Sequence, residues 1–128
     1  MAAHIILIAD DEPGFIEVYK KCLEKEGYSV ITAKDGSEAI GLCKNRKPDL
    51  ILMDVNMPNI DGVEAFMKLR ENPETKDIKV IFITSFGEKI KPAEDEKLAK
   101  EIGAVDFWKK GGDLKEFVGI VKKHLKEN

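Results

Sequence analysis

Long apolar runs are missing from this chain. No stretch in its 128 residues approaches the roughly 18–20 apolar residues that a membrane span needs. The opening MAAHIILIADDE has only a short apolar run before its acids and no basic leader, so it does not read as a signal peptide. An excess of positive charge is missing too: 21 Lys and Arg face 24 Asp and Glu, a formal net charge of −3. That argues against a general nucleic-acid binder, which is normally basic. Cysteine is scarce. Cys22 and Cys43 fall on apolar faces of predicted helices and read as small core residues rather than a disulfide. The two histidines do not suggest ligands, since His4 starts a predicted strand and His124 lies on the last helix. No repeat, linker or low-complexity tail interrupts the chain, so one domain over 1–128 is expected, in a cytoplasmic protein. The initial Met1 and a last helix running out to Asn128 favour a stand-alone protein over an excised domain.

What is present is an alternation. Five short apolar runs occur at 4–9 (HIILIA), 28–33 (YSVITA), 49–54 (DLILMD), 79–85 (KVIFITS) and 104–108 (AVDFW). The first, third and fourth are nearly unbroken, as strands covered on both faces read. Segments of helical spacing separate them. Phe15, Val18, Tyr19, Cys22 and Leu23 form one stripe. Ala39, Ile40 and Cys43 form another, with Ser37 as its expected N-cap. Val63, Phe66, Met67 and Arg70 make a third, and Leu98, Ala99 and Ile102 a weaker fourth. Leu114, Phe117, Val118, Val121 and Leu125 close the series. Gly27 and Gly103 stand where helices stop. Five alternations of strand and helix predict an α/β sandwich with a parallel sheet, and right-handed crossovers leave few topologies.

Polar residues gather where the runs end: Asp10 and Asp11 after the first, Asp54 at the end of the third, Thr84 and Ser85 at the end of the fourth, Lys109 and Lys110 after the fifth. Any one alone would be an ordinary solvated loop residue. Together they matter, because open α/β sheets bind ligands outside the carboxyl ends of their strands. Two carboxylates about 4 Å apart repel by roughly 4 kcal/mol at an effective dielectric near 20. Three in one cleft therefore require a cation or protons. An all-oxygen donor set suits Mg²⁺ or Mn²⁺ rather than zinc. With a hydroxyl and an amine nearby, it suits phosphoryl transfer, in which a carboxylate can be the nucleophile.

The motifs IADDEP at 8–13, LILMDVNMPNIDG at 50–62, VIFITS at 80–85 and GAVDFWKKG at 103–111 resemble the receiver domains of two-component response regulators. DVNMPNIDG is especially similar to the chemotaxis-type stand-alone members, and the resemblance spans essentially the whole chain. It implies a flavodoxin-like, doubly wound five-stranded parallel sheet in the order 2-1-3-4-5 with five helices. It implies that Asp54 takes a phosphoryl group from a histidine kinase or phosphotransfer protein. Asp11 and Asp54 would ligate Mg²⁺ (or Mn²⁺) with the carbonyl of Asn56, and Asp10 would act through water or as an outer acid. Lys110, placed ahead of Lys109 by its spacing from Gly103 and Ala104, would pair with the phosphoryl oxygens. Thr84 would turn its hydroxyl onto the phosphoryl group and Phe107 would follow inward, a two-state switch. The implied chemistry is limited to the protein's own phosphorylation and dephosphorylation. The implied partners are the kinase and a downstream target protein, with no nucleic acid or membrane, in a monomer or a weak phosphorylation-dependent dimer.

The chain departs from that pattern in places. Gly111 and Gly112 follow Lys110, where the family usually has proline, often after a cis bond; a glycine pair implies a more mobile loop and a trans bond. The segment 86–95, with Gly87 and Pro92, is longer than usual and alters the face through which receivers commonly signal. A haloacid-dehalogenase-type phosphatase would need an acid where Asn56 stands. A dinucleotide or flavin binder would need a Gly-rich loop after the first strand, where acids stand instead. By the same resemblance, Phe86 lies where side chains tune water access to the phosphoryl group. Its bulk is expected to slow self-dephosphorylation, and a fast lifetime in a phosphate-release assay contradicts that.

Overall fold

The computed structural model describes residues 3–84, 100–101 and 103–125. Five strands, β1 (Ile5–Ala9), β2 (Ser29–Ala33), β3 (Leu50–Asp54), β4 (Lys79–Thr84) and β5 (Asp106–Lys109), form one sheet in the order β2-β1-β3-β4-β5. Every pairing is parallel. Helices α1 (Pro13–Lys25), α2 (Gly36–Arg46), α3 (Gly62–Glu71) and α4 (Leu114–Leu125) are the four among the described residues. The expected helix on Leu98, Ala99 and Ile102, the 86–95 segment with Phe86, and Ser85 lie outside the described residues. The fifth strand begins at Asp106, two residues later than the apolar run suggested.

Side chains alternate across a strand, so each apolar run feeds two cores. Leu7, Ala9, Ile51, Met53, Val80 and Phe82 join Ala39, Cys43, Phe66 and Leu69 of α2 and α3 on one side of the sheet. Ile6, Ile8, Leu50, Leu52, Ile81, Ile83 and Trp108 join Tyr19, Leu23, Phe117 and Val121 of α1 and α4 on the other. The second core is stapled by aromatics: Tyr19 meets Phe117 edge-on at 4.6 Å, and Trp108 lies 5.6 Å from the same ring.

Three positions of the helical stripes do not follow the core. Val18, Met67 and Leu114 are 50%, 47% and 41% exposed. Val18 and Met67 stand at the margins of their stripes, where the helix turns its apolar arc away from the sheet, and Leu114 is the first residue of its helix. The N-cap of α2 is also corrected. Asp35, not Ser37, accepts the N–H of Glu38, at 2.8 Å. An N-cap must precede the first helical residue, and that residue is Gly36. Gly27 does end α1: its φ is +94° and its N–H reaches the carbonyl of Glu24.

These burials predict a sharp contrast in urea denaturation. Phe66→Ala, at a fully buried site, is expected to lose about 3–5 kcal/mol. Val18→Ala on the exposed arc is expected to change stability by less than about 0.5 kcal/mol.

Candidate functional site

The backbone ladders continue past the strand ends and aim the polar residues. Asp10 N–H donates to the carbonyl of Ala33, Val55 N–H to Ile83, and Lys110 N–H to Thr84, each within 3.0 Å. Asp54 closes β3 with the parity of Leu50 and Leu52, so its side chain leaves the sheet on the α1 side. Asp10 follows Ile6 and Ile8, and Lys110 follows Trp108, with that same parity. Thr84 ends β4 with the parity of Phe82, on the side where Phe107 packs. The loop after Asp54 is closed by Gly62, whose N–H donates to Val55 at 2.9 Å. A Cβ there would run into the Asp54 carbonyl oxygen. Asn59 turns this loop at φ +67°.

The side chains converge on one ammonium. Lys110 Nζ lies 2.6 Å from Asp10 Oδ2, 2.9 Å from Glu12 Oε1 and 3.2 Å from Asp54 Oδ2. The Phe15 ring centroid is 4.4 Å from the same nitrogen. Asp54 Oδ1 accepts the N–H of Asn56 at 3.1 Å, and Asp10 Oδ1 that of Glu12 at 2.9 Å. Asp10 and Asp54 are 0% and 1% exposed. Burial, followed by the charge of Asp10, pushes the Asp54 carboxyl up to about 7, against the opposing pull of Lys110 and the Asn56 N–H. For Lys110, burial acts downward but is outweighed by Asp10, Glu12 and Asp54, which raise it above the usual ammonium range. One ammonium thus holds the acids together without matching their charge.

That imbalance is where a cation fits. One carboxylate oxygen from each of Asp10, Asp11, Glu12 and Asp54 lies within 4.8 Å of the others. Asp10 Oδ2 is buried and, despite its close approach to Lys110, has no partner in hydrogen-bond geometry among the described residues. Four hard oxygen donors beside such an atom suit a small divalent cation such as Mg²⁺.

Residues 6–122 match the family model of the response regulator receiver domain. The chain belongs to the response regulator receiver family. It is 34% identical over 120 residues to the sporulation initiation phosphotransferase F of Bacillus subtilis, covering 94% of this chain and 92% of that protein. It is 35% identical over 123 residues to the alkaline phosphatase synthesis transcriptional regulatory protein PhoP of the same species. That match covers 96% of this chain but 49% of the relative, so the receiver spans about half of that relative's length. The receiver domain of a sensor histidine kinase of Pseudomonas aeruginosa, solved with a magnesium ion coordinated in its active-site cleft, aligns with a TM-score of 0.84 at 25% identity. That alignment covers 98% of this chain and 100% of that one.

The receiver fold gathers most of the residues singled out in the sequence. Asp10, Asp54 and Lys110 touch, and Asp11, although exposed, brings its carboxylate into the same cluster. Lys110 is buried and Lys109 exposed, which separates the two lysines. Thr84 is buried at the neighbouring strand end, and Phe107 is half-buried opposite Phe82. Asn56 enters through its backbone N–H. Glu12 and Phe15 are the site residues that sequence reasoning missed. Their signal was the position of IADDEP: Glu12 is the N-cap of α1, which starts at Pro13, and Phe15 lies in its first turn. Gly111 explains the departure from proline. Its φ is +90°, which a proline ring locked near −65° cannot adopt. Gly112 has its own reason, since a Cβ there would lie 2.7 Å from the Trp108 ring. Every described peptide bond is trans, including the one before Gly111.

A pH dependence follows in metal-free protein. Asp54 titrates near 7 when folded and near 3.9 when unfolded. The folded state therefore holds the extra proton between those values, and stability falls as pH rises through that window. Carboxyl-carbon NMR is expected to place the Asp54 midpoint near 7 and to move it down in Asp10→Asn. Asp54→Asn is expected to flatten the slope of thermal stability over the same window. An Asp54 midpoint below about 5 contradicts the burial argument.

Proposed function

We propose that this chain is one receiver domain acting as a phosphorylation switch in a two-component relay of the cytoplasm, with Asp54 as the phosphoacceptor. The observation that carries the reading is the holding of Asp54. Its two oxygens are anchored by Asn56 N–H and Lys110 Nζ, at the mouth of an acid cluster on the carboxyl edge of the sheet. Anchoring both oxygens presents the carboxylate in one orientation to an incoming phosphorus atom, which replaces orientational entropy with fixed geometry.

In this reading an Asp54 oxygen attacks the phosphorus of a phosphohistidine on a kinase or phosphotransfer protein. A P–O bond forms, the P–N bond breaks, and the electron pair leaves with the imidazole nitrogen, which then takes a proton. Lys110 keeps its ammonium close to the developing charge on the phosphoryl oxygens. Asp10, Asp11 and Asp54, with the carbonyl of Asn56, would hold Mg²⁺, which supplies charge neutralisation for the transferred group. Thr84 and Phe107 share one side of the sheet beside this edge. Thr84 donates its hydroxyl to the phosphoryl group and Phe107 packs inward behind it, so that the surface seen by a downstream target protein changes. Hydrolysis returns the carboxylate: water adds to phosphorus, the acyl-side P–O bond breaks and inorganic phosphate leaves.

The test uses acetyl phosphate with Mg²⁺ and intact-mass analysis. Wild-type protein is expected to gain one phosphoryl group, stable in acid and labile in base. Asp54→Asn, or chelation of the metal, is expected to abolish the gain. Equal labelling of wild type and Asp54→Asn refutes the assignment.

A further inference from the structure

An ammonium has three N–H donors, and three carboxylates crowd Lys110 Nζ: Asp10, Glu12 and Asp54. Two of them are fixed by burial at the ends of β1 and β3. Glu12 is different, because its side chain is 54% exposed and stands ahead of α1. It occupies the N-cap of that helix, yet its side chain caps nothing. Pro13 opens the helix without an N–H, and the Glu12 carboxylate reaches Lys110, 98 residues along the chain. Phe15, one turn further, places its ring against the same ammonium. The start of α1 thus grips Lys110 from the solvent side, while Asp10 and Asp54 hold it from within.

We propose that Glu12 is a positioning residue: in the resting chain it fills the place at Lys110 that an oxygen of the phosphoryl group on Asp54 takes. The inference rests on Asp54 being the phosphoacceptor. A phosphoryl oxygen needs a donor on Lys110, whose side-chain hydrogen bonds go to Glu12 and Asp54 while Asp10 Oδ2 crowds the same nitrogen at 2.6 Å. Asp10 cannot withdraw into water, whereas Glu12 can, so phosphorylation exchanges the Glu12 contact for the phosphoryl one. Only hydrogen bonds change partners in that exchange. Glu12 therefore stabilises the resting state relative to the phosphorylated one and keeps Lys110 from wandering between cycles.

Fluoroberyllate, a tetrahedral phosphoryl mimic, tests this at saturating Mg²⁺, with Trp108 fluorescence and the acetyl phosphate labelling rate as parallel readouts. Glu12→Gln is expected to tighten fluoroberyllate binding about two- to fivefold, the scale of one partly exposed ion pair. Glu12→Asp keeps the charge but loses the reach, and is expected to match Glu12→Gln. Glu17→Gln removes a charge from the exposed face of α1, where Glu17 pairs with Lys21, and is expected to match wild type. If Glu12→Asp behaves as wild type, or Glu17→Gln as Glu12→Gln, the effect is one of net charge and the positioning role is overturned. A fall of more than about tenfold in Mg²⁺ affinity for Glu12→Gln, measured without fluoroberyllate, overturns it in favour of a metal ligand. A wild-type chain that takes no phosphate at Asp54 refutes the receiver chemistry itself. Normal labelling with unaltered Glu12 variants refutes only the role of Glu12.

Discussion

The ammonium of Lys110 between two buried carboxylates is the constraint on which the rest of the site depends. A charge removed from water is costly unless it is paired and hydrogen-bonded. Asp10 and Asp54 are both almost fully buried, and Lys110 is the cation that lies between them. It comes from the far side of the sheet: β4 separates β3 from β5, so Lys110 must reach across that strand's end. Its backbone N–H on the carbonyl of Thr84 sets the direction of that reach. The pairing is incomplete in charge. One ammonium cannot neutralise the clustered acids, and burial, followed by the charge of Asp10, pushes the Asp54 carboxyl up to about 7.

The sheet converts this constraint into geometry through parity. Asp10, Asp54 and Lys110 continue the alternation of residues that pack against α1 and α4, and so meet on that side. Thr84 and Phe107 continue the other alternation. One strand edge thereby carries an ionic cluster on one side and a hydroxyl with an aromatic ring on the other. The glycines serve the same edge. Gly62 lets the loop fold back on the Asp54 carbonyl, and Gly112 leaves room for Trp108, whose indole N–H approaches the Tyr19 hydroxyl at 3.4 Å.

Much of this was legible in the chain. Unbroken runs such as LILM and VIFI predict doubly covered strands, and the sheet contains them at 50–54 and 79–84. The residues that end those runs were readable as a converging set, because a parallel sheet brings its carboxyl ends to one edge. The misses have separate causes. Ser37 was expected to cap α2 because stripe periodicity locates a helix better than it locates the first residue; the helix starts at Gly36 and Asp35 does the work. Val18 and Met67 fit the helical spacing but stand on the exposed flank, since spacing alone does not say how wide a face the sheet will cover. Glu12 was passed over because an acid beside two others in sequence looks like more solvated charge.

The sequence by itself determined the periodicities, hence the strands, the helices and the parallel sheet, because those depend on local alternation of apolar and polar residues. It also determined which chemistry was available: oxygen donors, a hydroxyl and an amine at successive strand ends. Tertiary structure alone decided which acid grips Lys110 from outside, and that Gly111 needs a φ closed to proline. Those outcomes depend on distances between residues such as Glu12 and Lys110, 98 positions apart. No local pattern encodes such distances; they follow only once the strand order brings the carboxyl ends of β1 and β5 to one edge of the sheet.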